Sequence, residues 1–538
     1  MRVYQLSSLS KVFPDKIYGD TVGYIDAVKG QTVSYQIAIE NNENAVQYNI
    51  KSGLEKYINV SLVGYVPMSM PTYESCKDED YLTKEKCMCP DPLYPFKDNI
   101  IKPNVGFTTL WLDIELPKDI EPESYSISVE FFENGKNVTS TEMKICVHNY
   151  VLPKQEIYFT QWFHTDCIAD VHNVEVFSEE HWDMIEKYIS LASKHGINMI
   201  LTPVLTPPLD TAVGGERTTT QLVEIKKENE KYSFEFSKLE RFIDICLKSK
   251  IEYFEINHMF TQWGAKNAPK VIANVNGVEQ KIFGWETDAS SNEYKDFLSQ
   301  LIPALINVFL AKGIEKRRLF FHVSDEPSLE HLEAYKSAYK SIEKLIEGCR
   351  QIDAMSCFEF YKEKIVKTPI VATSNIEPFL EANVDNLWCY YCCAQHEQVS
   401  NRFMAMPSYR NRIIGVQMYK CSIVGFLHWG YNFYNLQYSK GKINPYEVTD
   451  AGGSFPSGDS FSVYPYENQA IPSIRLKVFK NALDDIRLLT LLEKKIGKKS
   501  VIDVIDRVAN TEVTFKSYPK NEKFFSKLYA ELFSLLSE

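Results

Sequence analysis

The sequence predicts a multidomain chain in three parts: an N-terminal β-sandwich over residues 1–153, a central (β/α)8 TIM-type barrel over 154–473 and a C-terminal helical appendage over 474–538. Three observations predict it. The first part alternates apolar and polar positions in short runs, the middle part alternates apolar strands with amphipathic helices, and the end reads as helix. At 538 residues the chain also exceeds what one hydrophobic core serves.

From Tyr24 to about Val151, runs such as TVSYQIAIE, YSISVEFFE and TEMKICVHNY are punctuated by Pro, Asn and Gly, the pattern of an antiparallel sandwich. The stretch from about Pro67 to Asn104, rich in Pro, Cys and Asp, is expected as a surface excursion. After VLPKQE the strands IYFTQWFH, INMILTPV, IEYFEINH, LFFHVSDE, QIDAMSC, PIVAT, NLWCYYCC and IVGFLHWGYN follow one another. Helices over roughly 178–195, 237–249 and 292–312 are interleaved with them. Eight strands with interposed helices fit a barrel better than an open sheet, and no Gly-rich phosphate fingerprint follows the first strand. Residues 474–496 and 501–537 carry helical periodicity and are expected to pack on the barrel from outside. There is no fixed-period repeat and no low-complexity tract.

The net charge of −12 is spread along the chain without a basic block, which disfavours nucleic-acid partners. No apolar run is long enough to span a bilayer, and the N-terminus has no signal-type apolar core, so the chain as given reads as cytoplasmic without membrane insertion. In that setting the twelve cysteines read as reduced thiols. Cys76, Cys87 and Cys89 lack the second pair that a zinc knuckle needs, and Cys389, Cys392 and Cys393 read as core filling. No cofactor and no metal are expected, and the oligomeric state is left open.

Catalytic groups of such barrels sit at the C-terminal strand ends. There the sequence offers Trp162, His164 and Asp166; Glu255, Asn257 and His258; His322, Asp325 and Glu326; and Trp388, Tyr390, Tyr391, Trp429 and Tyr431. Strand parity puts Asp325 and Glu326 on opposite faces, so both reach one pocket only where the strand ends. Pro327 supports an ending there, because it lacks an amide hydrogen and pushes Glu326 away from the α region. Two carboxylates so close repel, and with burial the pKa of one is expected to rise, leaving a proton available at neutral pH. Aromatic walls and hydrogen-bonding side chains suit the apolar faces and polar edges of a sugar. His164, His258 and His322 are read as hydrogen-bonding to sugar hydroxyls or a carboxylate, since no short paired spacing marks them as a metal triad.

The segments LFFHVSDEP, NLWCYYCCAQ, IIGVQMYKCSIVGFLHWGYNFYN, GDSFSVYP and IPSIRLKVFKNALDDIRLL, in this order, resemble glycoside hydrolase family 123 and related proteins sharing its C-terminal block. The resemblance runs from about residue 155 to 495, and the preceding sandwich fits the family layout. It implies a retaining, exo-acting β-N-acetylgalactosaminidase that removes a terminal 2-acetamido sugar from a glycolipid or glycoprotein oligosaccharide. In that scheme the substrate's own acetamido oxygen is the nucleophile, an exception to two-carboxylate chemistry. Carried over, Asp325 orients the acetamido nitrogen and Glu326 is the general acid/base. His164, Glu255, His258, His322, Trp388, Tyr390, Tyr391, Trp429 and Tyr431 are the expected sugar-binding residues. Two other readings stay open: a conventional retaining glycosidase with Glu326 as acid and Glu255 as nucleophile, and a non-catalytic glycan-binding barrel.

Overall fold

The computed structural model describes residues 1–538, apart from the side chains of Asn41 and Asn42. Two five-stranded sheets form the N-terminal sandwich. One has the order Arg2–Ser7, Thr32–Asn42, Asn104–Glu115, Ile58–Met68, Cys87–Pro95; the other has the order Tyr24–Lys29, Lys136–Val151, Ser124–Glu133, Val46–Lys51, Ile100–Ile101. Period-two alternation builds the core between them: Tyr35, Ile37 and Ile39 with Leu110, Leu112 and Ile114 face Ile127, Val129 and Phe131 with Met143, Ile145 and Val147. The sandwich is not wholly antiparallel, because Tyr24–Lys29 pairs in parallel with Lys136–Val151.

The stretch expected as an excursion divides in two. Cys87–Pro95 is an edge strand, where Pro90, Pro92 and Pro95 cost little because only one side of an edge strand is paired. The residues before it clasp the barrel: Leu82 N donates to Ala405 O (2.8 Å), Tyr81 Oη to His396 O (2.6 Å), and Asp78 pairs with the buried Arg410 guanidinium (3.0 Å). Lys11 is buried at the same junction, its ammonium donating to the carbonyls of Met404 (2.6 Å) and Met406 (2.8 Å). Arg475 and Asp91 form a further buried pair there (2.8 Å). The two domains therefore share paired buried charges, which makes them one packed unit.

Eight parallel strands make the barrel: β1 (Tyr158–Gln161), β2 (Met199–Thr202), β3 (Tyr253–Ile256), β4 (Leu319–Phe321), β5 (Arg350–Met355), β6 (Thr368–Ala372), β7 (Trp388–Tyr390) and β8 (Gly425–His428). Ladders join β2 through β8 in sequence and return to β1. The β1–β2 seam is bridged by Asn198, whose Oδ1 accepts Phe159 N (2.9 Å) and whose Nδ2 donates to Ile157 O (3.0 Å). Inward positions fill the interior in layers. Tyr158, Tyr253, Phe320 and Trp388 close the N-terminal end, Trp388 stacking on Tyr158 at 5.1 Å.

The outer layer includes α1 (Glu179–Lys194), α2 (Ser237–Lys248), α3 (Asn292–Ala311), α4 (Leu332–Ile342), the short α5 (Glu359–Lys362) and α6 (Glu377–Glu381), α7 (Ser408–Lys420) and α8 (Ile474–Ile496). The last of these had been set apart as appendage, but Phe479 stacks on Phe159 of β1 (4.5 Å) and lies 4.7 Å from Phe426 of β8. It is the eighth barrel helix. The helix expected over 501–537 is two, Lys498–Ala509 and Lys523–Ser537, because Asn510 takes a left-handed cap (φ 56°) and Pro519 lies in the link. The pattern also did not reveal a four-stranded sheet made of Glu224–Glu228, Lys231–Glu235, Val271–Val275 and Val278–Phe283, inserted after β2 and β3. None of the twelve cysteines is in a disulfide, and among the described residues no helix is long and apolar enough to cross a membrane.

The α7–α8 crossing generates a stability prediction. A Cβ on Gly415 would lie 2.1 Å from the backbone oxygen of Ala482, which cannot step aside. Gly415→Ala is expected to lower stability by about 1–3 kcal/mol, read as a lower urea midpoint with unchanged slope.

Candidate active site

The site begins with how β4 stops. The carboxylate of Asp353, on β5, accepts the amides of Val323 (2.9 Å) and Ser324 (3.2 Å) through Oδ1. The ladder ends at Phe321, and the chain turns. Glu326 N then donates to Ala354 O (3.2 Å), and Glu326 takes a left-handed backbone (φ 43°), a strained conformation for a non-glycine residue. Both Asp325 and Glu326 consequently line one cavity of about 190 Å3 at the C-terminal mouth. That is below the ~300–1,000 Å3 of drug-sized pockets, so it has room for one sugar ring.

Trp162, Trp263, Tyr390, Trp429, Tyr438 and Phe455 wall the cavity. Trp429 and Phe455 meet edge to face (5.4 Å), as do Trp263 and Tyr438 (5.7 Å). The Trp429 indole is fixed by Asp459 Oδ2 (2.9 Å). Tyr390 Oη donates to Glu326 Oε1 (2.5 Å), so the carboxylate is oriented with its other oxygen free for chemistry. Glu326 is exposed at the rim, while Asp325 lies deeper. Burial, then the neighbouring Glu326 charge, push the Asp325 carboxyl well above its usual range. Asp325 therefore keeps its proton to higher pH than a lone carboxyl would.

A buried ion chain lies beneath. Glu255 Oε1 accepts from Trp162 Nε1 (2.6 Å) and bonds His322 Nε2 (2.5 Å), while Oε2 accepts from Thr160 (2.7 Å). The other His322 nitrogen is 3.4 Å from Asp353, whose second oxygen accepts from Tyr335. Burial opposes a charge on His322, but Asp353 and Glu255 more than offset it and pull the imidazole up to about 9. His322 is thus an imidazolium between two carboxylates.

The expected sugar-binding residues separate into those that line the cavity and those that do not. Tyr390 and Trp429 do, as does Trp162. Glu255, His258 and His322 are fully buried under the floor and outside the cavity lining. His164 is also buried; as a neutral ring it accepts from Arg217 (3.1 Å) and donates to Trp429 O (3.1 Å), so it positions the Trp429 loop. Asp166 pairs with Arg217 (2.8 Å), and Asn257 accepts Leu205 N (3.0 Å). Trp388 fills the barrel bottom, Tyr391 points outward to Asn411 on α7 (3.1 Å), and Tyr431 reaches Tyr188 O on α1 (3.0 Å). Of the cysteines read as core, Cys389 is buried, whereas Cys392 and Cys393 line the cavity.

Sequence reasoning missed Asp210, Gln262, Trp263 and Tyr438, which line the cavity from loops carrying no periodic signal. Asp210 (φ 40°), Trp263 (φ 56°) and Tyr438 (φ 59°) share the left-handed backbone of Glu326, so strain gathers here.

His258, His322 and Asp353 come close enough to invite a metal, as do Asp26, Cys146 and His148 on the sandwich. The two imidazoles of the first group, however, are stacked at 4.3 Å with only 22° between planes. An ion bound at ~2.0–2.1 Å cannot lie near both ring planes at once. A larger hollow of about 480 Å3, between Asp170, Tyr434, Lys442 and Glu467, lies away from the Asp325–Glu326 pair.

Residues 162–492 match the family described as "Glycoside hydrolase 123, catalytic domain". A family 123 glycoside hydrolase from Clostridium perfringens, studied for glycolipid glycan hydrolysis, superposes with TM-score 0.75 at 14% identity, covering 100% of this chain and 98% of that one. Two family 5 glycoside hydrolases are far less similar. A Bacteroides ovatus xyloglucanase gives TM-score 0.29 at 10% identity, over 86% of this chain and 98% of that one. A Bacteroides vulgatus enzyme gives 0.31 at 12%, over 55% and 63%. A search of curated proteins finds no match.

The ion chain predicts a pH-dependent stability. The folded-state pKa of His322, about 9, stands above its ordinary 6.5, so its contribution is complete below pH 6.5 and lost as pH rises through 9. Urea unfolding at pH 6 and pH 9.5 should show that loss, and His322→Gln should flatten it.

Proposed function

This chain belongs to the glycoside hydrolase 123 family, and on that premise we propose that it is a retaining, exo-acting β-N-acetylhexosaminidase with galacto preference, releasing a terminal 2-acetamido sugar from glycans of the glycolipid class. One observation carries the reading: two adjacent carboxylates on a strained turn face a cavity sized for one ring, and the carboxylate once considered as enzyme nucleophile is sealed below it. An enzyme nucleophile would stand ~5 Å across the sugar from the acid. Glu255 has both oxygens committed to Trp162, His322 and Thr160, and is 0% exposed, so nothing favours it in that role.

In the proposed reaction the sugar ring packs against the aromatic walls with its acetamido group on Asp325. The acetamido N–H donates to Asp325, which stabilises that carboxylate and lets the shared proton pass to Glu326. Glu326, at the rim where the aglycone leaves, protonates the glycosidic oxygen as the carbonyl oxygen attacks the anomeric carbon from the opposite face. The C–O bond to the aglycone breaks and an oxazolinium forms, its positive nitrogen held by anionic Asp325. Glu326 then takes a proton from water as the water opens the ring, so configuration at the anomeric carbon is retained.

Aryl β-glycosides of N-acetylgalactosamine, N-acetylglucosamine, galactose and glucose test the substrate class, and turnover of galactosides as fast as their N-acetylated counterparts would sink it. Glu326→Gln is expected to lose several orders of magnitude on natural glycosides but much less on substrates with a strongly acidic leaving group. Equal losses would remove Glu326 from the acid role. A thiazoline analogue of the cyclised intermediate should inhibit strongly, and Asp325→Asn should weaken it and turnover together by about 2–4 kcal/mol. A thiazoline that binds no better than free sugar would end the substrate-assisted mechanism.

A further inference from the structure

The cavity contains a third carboxylate to which the reaction above gives no task. Asp210 stands on the loop after β2, on a different wall from the β4 pair, and lines the same cavity. Its place is fixed from three sides. Gln262 Oε1 accepts its amide (2.7 Å), its carbonyl accepts from Ser439 Oγ (2.7 Å), and its Oδ2 accepts Tyr438 N (3.1 Å). These bonds hold it at φ 40°, and they knit the β2, β3 and β8 loops together at this point. Among the described residues no donor reaches Oδ1.

One oxygen of Asp210 is anchored by Tyr438 N, and the other has no protein donor in a residue that lines the cavity. Asp325 and Glu326 already account for the acetamido group and the glycosidic oxygen, so the remaining polar features of a bound pyranose are its other hydroxyls. A charged acceptor takes O–H donors in short bonds of ~2.5–2.7 Å, about twice as strong as neutral ones. We infer that Asp210 binds a hydroxyl of the terminal sugar away from the anomeric centre, and so decides which ring configuration the cavity accepts. The inference rests on the proposed placing of the anomeric carbon at Asp325 and Glu326. Because burial holds the Asp210 carboxyl up at about 6, this contact is present above that pH and fades below it.

Asp210→Asn in the full-length enzyme tests this against 3-, 4- and 6-deoxy aryl glycosides of the best substrate. The wild type should lose ~10-fold or more in kcat/KM when one particular hydroxyl is missing, and the variant should lose almost nothing further. With the complete substrate the variant should show raised KM more than lowered kcat, and the part of the acid limb near pH 6 should disappear. The same loss on every deoxy substrate in both proteins would reduce Asp210 to packing. A kcat collapse restored by azide would make it the nucleophile instead, overturning this inference and the substrate-assisted reading together. If no aryl glycoside is cleaved, the proposed function fails by itself. Calorimetric titration of N-acetylgalactosamine and its deoxy analogues into both proteins still decides Asp210, with equal affinities overturning the assignment.

Discussion

Everything at the mouth of the barrel depends on one carboxylate that never touches the cavity. Asp353 takes the amides of Val323 and Ser324 that a continuing β4 would have given to its neighbour. Without that diversion, strand parity would send Asp325 and Glu326 to opposite faces. A buried anion is costly unless it is paired, and here Tyr335 donates to its second oxygen while His322, 3.4 Å away, supplies the opposite charge, with Glu255 on the far side of His322. The two carboxylates that line the cavity are thus held by a second set that stays below them.

The same logic explains the clustering of left-handed residues. Asp210, Trp263, Glu326 and Tyr438 each hold a conformation costing on the order of 1–3 kcal/mol, and each is pinned by neighbouring loops. Trp263 N bonds Asp325 O (3.0 Å), so even the strained aromatic wall is tied to the carboxylate turn. Such cross-bracing fixes donors and acceptors before a ligand arrives, and a preorganised polar site loses little in reorganisation.

The sequence carried much of this arrangement, unevenly. The eight barrel strands and the change from sheet-rich region to barrel were legible because period-two and helical patterns reflect burial directly, and the Asp325–Glu326–Pro327 break was legible because proline interrupts a ladder. Which aromatic faces inward was not. Trp388 and Tyr390 share one face of β7 and yet lie at opposite ends of the barrel, and Tyr391, the next residue, points outward to α7. Choosing among them needs the level along the strand as well as parity. Gly425 records the answer indirectly, since a Cβ there would lie 2.1 Å from the Trp388 ring. Asp210, Gln262, Trp263 and Tyr438 were illegible for another reason: loop residues have no period, and only the folded chain brings them together. Likewise α8 looked like an appendage because its partner strands, β1 and β8, are far from each other in sequence.

Lys11 has a consequence for the birth of the molecule. Its ammonium finds its acceptors only at Met404 and Met406, 393 and 395 positions later in the chain. At translation speeds of ~5–20 residues per second, roughly 20 seconds or more separate the synthesis of this cation from that of its partners. Through that interval the short strand Lys11–Val12 and the edge strand Cys87–Pro95 have their partners within the sandwich but lack the barrel face they finally dock on. The sandwich is therefore made before the surface on which these two strands dock, and its docking is timed by the end of the barrel.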